Sequence, residues 1–253
     1  MKDALYSQME KIEHRHWWFL AKRRIIRAMI DRYAPPPPQG RRPRLIDIGC
    51  GTGGLLDDTA DRFDTLGFDS APQAVEICTN RGHDVKPCWL PDTLPAEPES
   101  ADVCVMSDVL EHVDDDAGSV AAAASKLRPG GVLVCTVPAH RWLWTARDDA
   151  HEHKRRYSKP EYARLFEIPT LRREFIGWYM AWLMPLLVAE RLARKITGNH
   201  ETDDLTIPAP PINAALRMVF ASERFTLGRV PFPIGASLIS VHRRVEPAPA
   251  QTT

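Results

Sequence analysis

A glycine-rich segment follows a short apolar stretch near residue 50 and offers the clearest chemistry in the sequence. The stretch Arg44–Ile48 predicts a buried strand, which runs directly into Gly49, Gly51 and Gly53. Glycine lets the backbone turn sharply and lets a ligand approach where any Cβ atom would collide. Asp69 ends the next predicted strand, where a carboxylate can accept hydrogen bonds from both hydroxyls of a ribose. The pattern predicts a site for a nucleoside cofactor, with a bare tight turn as the alternative.

The glycine spacing alone does not identify that cofactor. Gly49, Gly51 and Gly53 form a G-x-G-x-G pattern, but Gly54 also completes the G-x-G-x-x-G spacing of dinucleotide sites. In those sites the third glycine brings the amino end of a helix close to the pyrophosphate. An NAD(P)-dependent oxidoreductase therefore stays open on these residues alone.

A second group of reactive side chains lies in the polar loop 138–157. His153 is a candidate general base, and Asp148 could orient it or act in its place. We group Tyr157 with them as a candidate catalytic residue, whereas Arg156 would bind an anionic group of a substrate. The alternative is a solvated charged loop that is held together by structural salt bridges.

Composition bounds the classes of function. Lysine and arginine total 33 and balance 33 acidic residues, so there is no basic footprint for nucleic acid. Five cysteines without a C-x-x-C spacing predict no metal site and fit a reducing cytoplasm. The charged first residues do not resemble a signal peptide. The longest uncharged run, Phe175–Ala189, holds 15 residues, fewer than the ~20 that a membrane helix needs.

Strands that alternate with helices must position these groups. This order predicts an α/β fold with a doubly wound, mostly parallel sheet, in which ligands bind at the carboxyl ends of the strands. The predicted strands are residues 44–48, 65–69, 84–90, 101–106, 132–137, 172–181 and 237–243. The predicted units are an N-terminal helical lid (1–34), a catalytic domain (41–245) with a helical, proline-rich insertion (182–230), and a disordered tail (246–253).

Four motifs occur in one order along the chain: "LIDIGCGTG" (45–53), "GFDSAPQAVE" (67–76), "SDVLEHVDDD" (107–116) and "LRPGGVLVCTVPAH" (127–140). Together they resemble the successive motifs of class I S-adenosylmethionine (SAM)-dependent methyltransferases. The chain more closely resembles a bacterial subgroup of the methyltransferase type 11/12 kind. That subgroup carries an "HWWF" leader (16–19), a "W-L-W-x-x-x-D" stretch (142–148) and an "H-x-R-R-Y" element (153–157). The resemblance implies the seven-stranded Rossmann-like fold and argues against the NAD(P) alternative.

The resemblance also implies roles for individual residues. Asp69 would hold the ribose, and Leu90 would contact the adenine, where many relatives have an aspartate. The implied SAM-binding residues in the sheet domain are Asp47, Gly49, Cys50, Gly51, Gly53, Asp69, Ser70, Leu90, Ser107 and Asp108. In the leader, Trp17 could attract the sulfonium and Arg23 could pair with the methionine carboxylate, unless these residues only pack a helix onto the sheet. The implied acceptor-binding residues are Glu111, His112, His140 and Arg156.

The expected activity is transfer of a methyl group from SAM to a small-molecule acceptor, with a hydroxyl oxygen favoured because it needs a base. The acceptor could be a sugar, a lipid-linked glycan or a specialised metabolite. N-methylation and a non-catalytic SAM-fold binding protein are the alternatives. The apolar run within 175–195 has basic residues on both sides. It is either a strand with a core helix or an interfacial segment that brings a cytoplasmic protein to the membrane.

Overall fold

A seven-stranded mixed sheet organises the chain, whose computed structural model describes residues 3–197 and 206–246. The strand order is β3-β2-β1-β4-β5-β7-β6. The strands are β1 (Arg44–Ile48), β2 (Asp64–Asp69), β3 (Val85–Pro87), β4 (Ala101–Ser107), β5 (Leu127–Pro138), β6 (Leu171–Tyr179) and β7 (Ser237–Arg244). The helices are α1 (Asp3–Ile12), α2 (Trp17–Tyr33), α3 (Gly54–Thr59), α4 (Pro72–Asn80), α5 (Asp116–Lys126), α6 (Ala146–Ala150), α7 (Lys159–Arg164), α8 (Met184–Thr197) and α9 (Pro210–Ser222).

The direction of chain winding places a ligand crevice at the middle of the sheet. Strands β1 to β5 pair in parallel, and β7 runs antiparallel between β5 and β6. From β1 the chain builds outward to β2 and β3, and it then returns to add β4 on the other side of β1. This reversal opens a crevice at the carboxyl ends of β1 and β4. The predicted doubly wound α/β fold is confirmed.

Helices cover both faces of the sheet. The first six residues of β4 are all buried, as expected for a central strand whose two faces are both covered. One face carries α5 through Val120 and Ala123, and the other face carries α2 through Ile25 and Met29. The crevice therefore rests on a rigid core.

The N-terminal segment forms two helices where the sequence pattern predicts one continuous helix over 3–33. The break lies between Ile12 and Trp17, where His16 Nδ1 accepts a hydrogen bond from the Trp18 N–H at 3.2 Å. Trp17 N–H also donates to Asn213 Oδ1 at 2.9 Å, which ties the start of α2 to α9. The break lets α1 pack on α4, where Tyr6 joins a small cluster with Ala74 and Ile77.

Several element boundaries differ from the predictions. The third strand is shorter than the predicted 84–90 and ends at Pro87, and the fifth begins earlier, at Leu127, which pairs with Ala101. The N-cap residue of α4 is Ala71. The loop 138–157 contains a 3-10 turn and α6, and the predicted tail falls on residues 247–253, outside the described part.

The insertion 182–230 contains α8 and α9. Residues 198–205, between these helices, lie outside the described part. Among the described residues, no helix combines the length and the apolar composition that crossing a bilayer would require.

Candidate active site

A cavity of about 740 Å³ lies at the carboxyl ends of β1, β2 and β4. Its size is within the range of ordinary cofactor and substrate sites. The glycine turn forms one wall, α1 and α2 lie over it, and the loop 138–157 and α8 close the far side. Of the predicted site residues, all but Gly53, His140 and Tyr157 line this cavity. The sheet therefore brings the glycine turn and Asp69 together with the polar loop 138–157, although the two groups are far apart in the sequence.

The glycine turn leaves bare backbone against the cavity. Gly49 has a φ of 75°, and a Cβ atom there would collide with the Val109 side chain. Gly51 has a φ of 55°, and a Cβ atom there would meet no other atom within 4 Å. Gly53 also has a positive φ, but it lies behind the cavity wall, where a Cβ atom would press on Cys78 Sγ. Its glycine requirement is therefore structural.

Asp69 is fixed in place by the turn that it faces. Its Oδ2 accepts the Gly51 N–H at 2.9 Å, and its Oδ1 accepts the Ala71 N–H at 2.9 Å. Tyr6 Oη from α1 donates to Oδ1 at 3.4 Å. Burial raises the pKa of Asp69, although these hydrogen bonds oppose the rise. Each carboxylate oxygen can accept more than one hydrogen bond, so acceptor capacity remains for a pair of ribose hydroxyls.

Asp47 is the second carboxylate on this side of the cavity. It is buried at the end of β1 and lines the cavity beside the glycine turn. Burial, together with the negative charge of Asp69, raises the pKa of Asp47 to about 7. A cationic group bound here would favour the ionised form.

The residues present fit SAM. Two carboxylates suit its ribose and its ammonium group, and the open space at Gly51 admits the chain that joins them. Leu90, Cys88 and Phe68 supply an apolar wall that suits an adenine ring. Asp92, the nearest downstream carboxylate, does not line the cavity.

A partly buried ion pair joins α2 to the sheet across the cavity. The Lys22 ammonium of α2 contacts Asp108 Oδ2, and the Thr136 hydroxyl donates to Asp108 Oδ1 at 2.8 Å. Burial alone would raise the pKa of Asp108, but Lys22 and Thr136 hold it below its ordinary value. Sequence reasoning missed Lys22. The signal was its position one turn after Trp18, whose ring lies 4.8 Å from the ammonium.

The two leader residues singled out by sequence line the cavity but are engaged elsewhere. Arg23 Nε donates to Asp58 Oδ2 at 2.8 Å, and its Nη1 donates to the Glu13 carbonyl at 3.0 Å. The Trp17 ring packs edge-on against Phe220 at 6.0 Å. Both residues hold the lid in place, and a direct contact with the cofactor stays a prediction.

His153, Asp148 and Arg156 form a hydrogen-bonded group on the opposite wall. His153 Nδ1 lies 2.9 Å from Asp148 Oδ1, and Arg156 donates to both carboxylate oxygens at 2.7 and 3.0 Å. Asp148 is fully buried and also accepts the Thr145 N–H at 2.8 Å. Burial alone would raise the pKa of Asp148, but the hydrogen bonds from His153 and Arg156 hold it well below its ordinary value.

Two further imidazoles surround His153. The His112 ring meets it edge-on at 4.7 Å and the His151 ring at 5.8 Å. Burial lowers the pKa of His112 and of His151 to about 4 each. Both rings are therefore neutral near pH 7, and the ionised carboxylate next to His153 is that of Asp148.

Glu111 lies beneath this group and is fully buried. Neither of its carboxylate oxygens has a hydrogen-bond partner in the described part of the chain. Burial and the charge of Asp108 raise the pKa of Glu111 well above its ordinary value. One ligand atom each from Glu111, His112 and His153 lie within 4.8 Å of one another, so these side chains could also hold a cation.

Tyr157 and His140 lie apart from the cavity. Tyr157 Oη lies 3.0 Å from the Leu110 carbonyl and 2.9 Å from Asp116 Oδ2, so its single hydrogen is shared between two acceptors, which anchors the loop. The His140 ring stacks on Trp178 at 4.7 Å. Neither placement assigns a role in chemistry, and their predicted roles stay predictions.

Comparison with known proteins adds a family match. A family model described as a methyltransferase domain matches residues 14–168. The ubiquinone biosynthesis O-methyltransferase of Cereibacter sphaeroides (strain ATCC 17025 / ATH 2.4.3) is 37% identical over 114 residues, which cover 42% of this chain and 44% of that protein. The protein of the same name from Methylocella silvestris is 35% identical over 111 residues, 41% of this chain and 42% of its own. The chain thus matches less than half the length of these curated relatives.

Solved structures share the fold over most of the chain. The methyltransferase in a complex with the Haloferax volcanii Trm112 activator superposes with a TM-score of 0.58 at 18% identity, over 96% of both chains. Geranyl diphosphate C-methyltransferase from Streptomyces coelicolor A3(2) has a TM-score of 0.57 at 18% identity, over 87% of this chain and 78% of that one. At such identities the likeness supports the fold alone.

Proposed function

The chain belongs to the methyltransferase domain family, whose cofactor is SAM, and on that premise we propose that it methylates a hydroxyl oxygen of a small molecule. The observation that carries the proposal is the His153–Asp148–Arg156 group, which shares one cavity with the glycine turn and Asp69. The name of the relatives, O-methyltransferases of ubiquinone biosynthesis, also favours an oxygen acceptor.

The residues of this chain divide the work between two walls of the cavity. Asp69 and Asp47 hold the ribose and ammonium ends of SAM, which supplies an activated methyl group when bound. The lid helices α1 and α2 exclude water and fix the alignment of donor and acceptor, a positioning effect that can supply several kcal/mol.

His153 removes the acceptor proton in this proposal. Its Nδ1 donates to Asp148, so the neutral ring presents Nε2 as the proton acceptor. Asp148 stays ionised, since its pKa lies well below its ordinary value, and it stabilises the imidazolium that forms. Arg156 holds that carboxylate from the other side and can face an anionic group of the acceptor.

The acceptor class stays broad. Sugar hydroxyls, lipid-linked glycans, specialised metabolites and intermediates of ubiquinone biosynthesis all carry a hydroxyl that needs a base. An amine acceptor is the alternative, as is a SAM-fold protein that binds without turnover. Membership of the bacterial subgroup with the HWWF leader and a cytoplasmic setting are parts of the same proposal.

A methyl-transfer assay tests the function. Purified protein is incubated with methyl-labelled SAM and a panel of hydroxyl and amine acceptors from these classes, and S-adenosylhomocysteine (SAH) formation is measured. With the acceptor that works, His153→Ala is expected to lower turnover by about 10² to 10⁴ while SAH affinity stays within about twofold.

His14→Ala is the matched control, since His14 lies on the lid outside the cavity lining. Turnover with amines alone would replace O-methylation by N-methylation. Full turnover in His153→Ala would show that His153 is not the general base. SAH binding without turnover across the panel would favour the non-catalytic alternative.

A further inference from the structure

Helix α8 carries apolar side chains both on the side that meets the protein, where Met184 is buried and Leu187 and Val188 pack beside it, and on the side that faces solvent. Pro185, Leu186, Ala189 and Leu192 lie on one arc of the helix and are exposed, with Leu186 at 58% and Leu192 at 56%. Glu190 lies toward the cavity that it lines. A surface helix of a globular protein normally carries polar side chains on its solvent-facing side.

Helix α9 repeats the pattern. Phe220 and Ala221 pack against the core, while Ile212, Met218 and Val219 on the opposite side are 55%, 67% and 41% exposed. No charged residue occupies the exposed arc of α9. The helix is therefore apolar on two sides, of which the core covers only one.

One buried carboxylate joins the two regions. Glu223, just after α9, accepts the N–H groups of Met180, Ala181 and Trp182 at 2.6, 2.7 and 2.9 Å. This brings the start of α8 beside the segment 223–234, where the exposed ring of Trp182 meets Phe232 at 5.2 Å. We call the exposed side chains Trp182, Leu186, Leu192, Ile212, Met218 and Phe225 the apolar rim.

The apolar rim is continuous with the mouth of the cavity. Leu186 belongs to both, and Leu216 of α9 lines the cavity one turn after Ile212. A ligand whose apolar part rests on the rim can therefore extend a polar end toward His153.

The charges beside the rim are mainly positive. Among the described side chains of 182–193 and 206–234, four arginines stand against Glu190 and the buried Glu223. The Arg224 guanidinium lies 4.3 Å from the centre of the Phe225 ring, and the exposed Arg229 donates to the Phe225 carbonyl at 3.2 Å. Two cations thus lie beside Phe225, one at its ring and one at its backbone carbonyl, an arrangement that suits the phosphate level of a bilayer.

We propose that the apolar rim docks the protein on an anionic lipid surface and that the acceptor is an amphipathic molecule that enters the cavity from that surface. The docking step stands on the rim itself. The acceptor class rests on the proposed methyltransferase function.

A second copy of the chain fits the rim less well. Two rims face to face would bring Arg224 and Arg229 of each copy toward one another, with Glu190 as the one partly exposed carboxylate among the described residues of the region. An anionic lipid surface, in contrast, supplies both the apolar contact and the opposite charge.

Vesicle flotation tests the docking. The full chain is mixed with phosphatidylcholine vesicles with and without phosphatidylglycerol, and the partition coefficient is measured. We expect binding to the anionic vesicles. The double variant Leu186→Glu, Met218→Glu should bind about 100-fold more weakly, because each position loses the transfer of one apolar side chain. The double variant Arg224→Gln, Arg229→Gln should lose about 30-fold on anionic vesicles and little on neutral ones.

Trp89→Glu is the matched control, because Trp89 is 55% exposed but lies at the β3 edge, away from the rim. It should bind vesicles as the parent does. SAH calorimetry on each variant reports whether the fold and the cofactor site are intact, so loss of docking and loss of the cofactor site are separately visible. No binding of the parent to anionic vesicles would overturn the proposal. So would equal binding by the Leu186→Glu, Met218→Glu variant, or a dimer that this variant dissociates.

An assay of methyl transfer with the acceptor panel in vesicles tests the entry of the acceptor from the bilayer separately from the docking of the protein. Faster turnover of acceptors with an apolar tail than of their short-chain analogues supports entry from the bilayer. Equal rates for both, with docking intact, would overturn the acceptor class alone.

Discussion

The two carboxylates beside the glycine turn, Asp69 and Asp47, differ in their hydrogen bonds and in their pKa. Asp69 receives hydrogen bonds from Gly51 and Ala71, whereas Asp47 is buried at the end of β1 with a pKa raised to about 7. A carboxyl group with that pKa is a mixture of acid and anion near neutral pH. The two residues therefore contribute differently as the pH changes.

The pKa of Asp47 predicts a pH-dependent cofactor affinity. If the ammonium group of SAH lies at Asp47 as proposed, it favours the ionised form. Binding below about pH 7 then releases a proton, and affinity should rise with pH by at most about tenfold per unit. Above about pH 7 the dependence should level off. Calorimetric titrations over this range measure it, and Asp47→Asn should flatten the rise. A variant that keeps the full slope would assign the proton to another group.

The raised pKa of Asp47 has the opposite effect on the stability of the cofactor-free protein, which should fall as the pH rises. The folded-state pKa of Asp47 lies above the ordinary value of 3.8, so its contribution to folding is fully present below about pH 4. That contribution is lost as the pH rises through about 7. Bound cofactor, by lowering the pKa, should reduce this loss.

Asp69 permits a matched comparison within one strand. Asp69→Ala is expected to weaken SAH binding by about 10- to 100-fold, because it removes the proposed acceptor for the ribose hydroxyls and leaves the Gly51 N–H without its partner. Asp64→Ala, at the other end of β2, removes an exposed pair with Arg44 and should change the affinity little. Calorimetry on both variants makes the comparison. Equal affinities for the two would place the ribose elsewhere.

Helices α2 and α9 act together as one cover on the cavity. The Phe220 ring stands between Trp17 at 6.0 Å and Tyr179 at 5.9 Å, so it joins the lid, the insertion and the sheet. Residues that are about 200 positions apart in the sequence thus share one small core. The position of the lid depends on this contact.

The packing of Phe220 predicts a large loss on truncation. Phe220→Ala should lower the free energy of unfolding by about 3 to 5 kcal/mol, because the fully buried ring leaves a cavity. Phe225→Ala, five residues later and 57% exposed, should lower it by no more than about 0.5 kcal/mol. Urea unfolding of both variants without lipid gives the two values. Similar losses in the free energy of unfolding for the two variants would mean that the packing of Phe220 does not fix α9 against α2.

At the scale of the whole molecule, one cavity collects residues from α1 to the start of β7. A ligand that bridges these elements binds only the folded chain and therefore stabilises it. The Lys22–Asp108 pair also joins α2 to the end of β4 within this cavity. Ligand binding should therefore be visible in global unfolding.

Thermal unfolding tests the choice of cofactor. SAH at about 100 times its Kd should stabilise the protein by about 2.7 kcal/mol, which corresponds to a rise in Tm of roughly 5 to 10 °C. NADH at the same concentration is the control and should leave Tm unchanged. A rise with NADH and none with SAH would restore the oxidoreductase alternative.

Much of the fold, and the position of the glycine turn and Asp69 at one side of the cavity, could be predicted from sequence alone. The strands, the glycine turn and Asp69 are set by local patterns: apolar runs predict buried strands, and the positive φ angles at Gly49 and Gly51 favour glycine. Because parallel strands end at one edge of a sheet, residues at their carboxyl ends were expected to meet there.

Other features depend on contacts between distant elements. Three features follow from how the helices and loops pack on the sheet. They are the Lys22–Asp108 pair, the position of Tyr157 and His140 outside the cavity lining, and the apolar side of α8 that faces solvent. Helical periodicity shows which residues share a side of α8, but it does not show which side meets the core. The tertiary structure decided this, because the orientation of a helix is the sum of many long-range packing contacts that no local pattern contains.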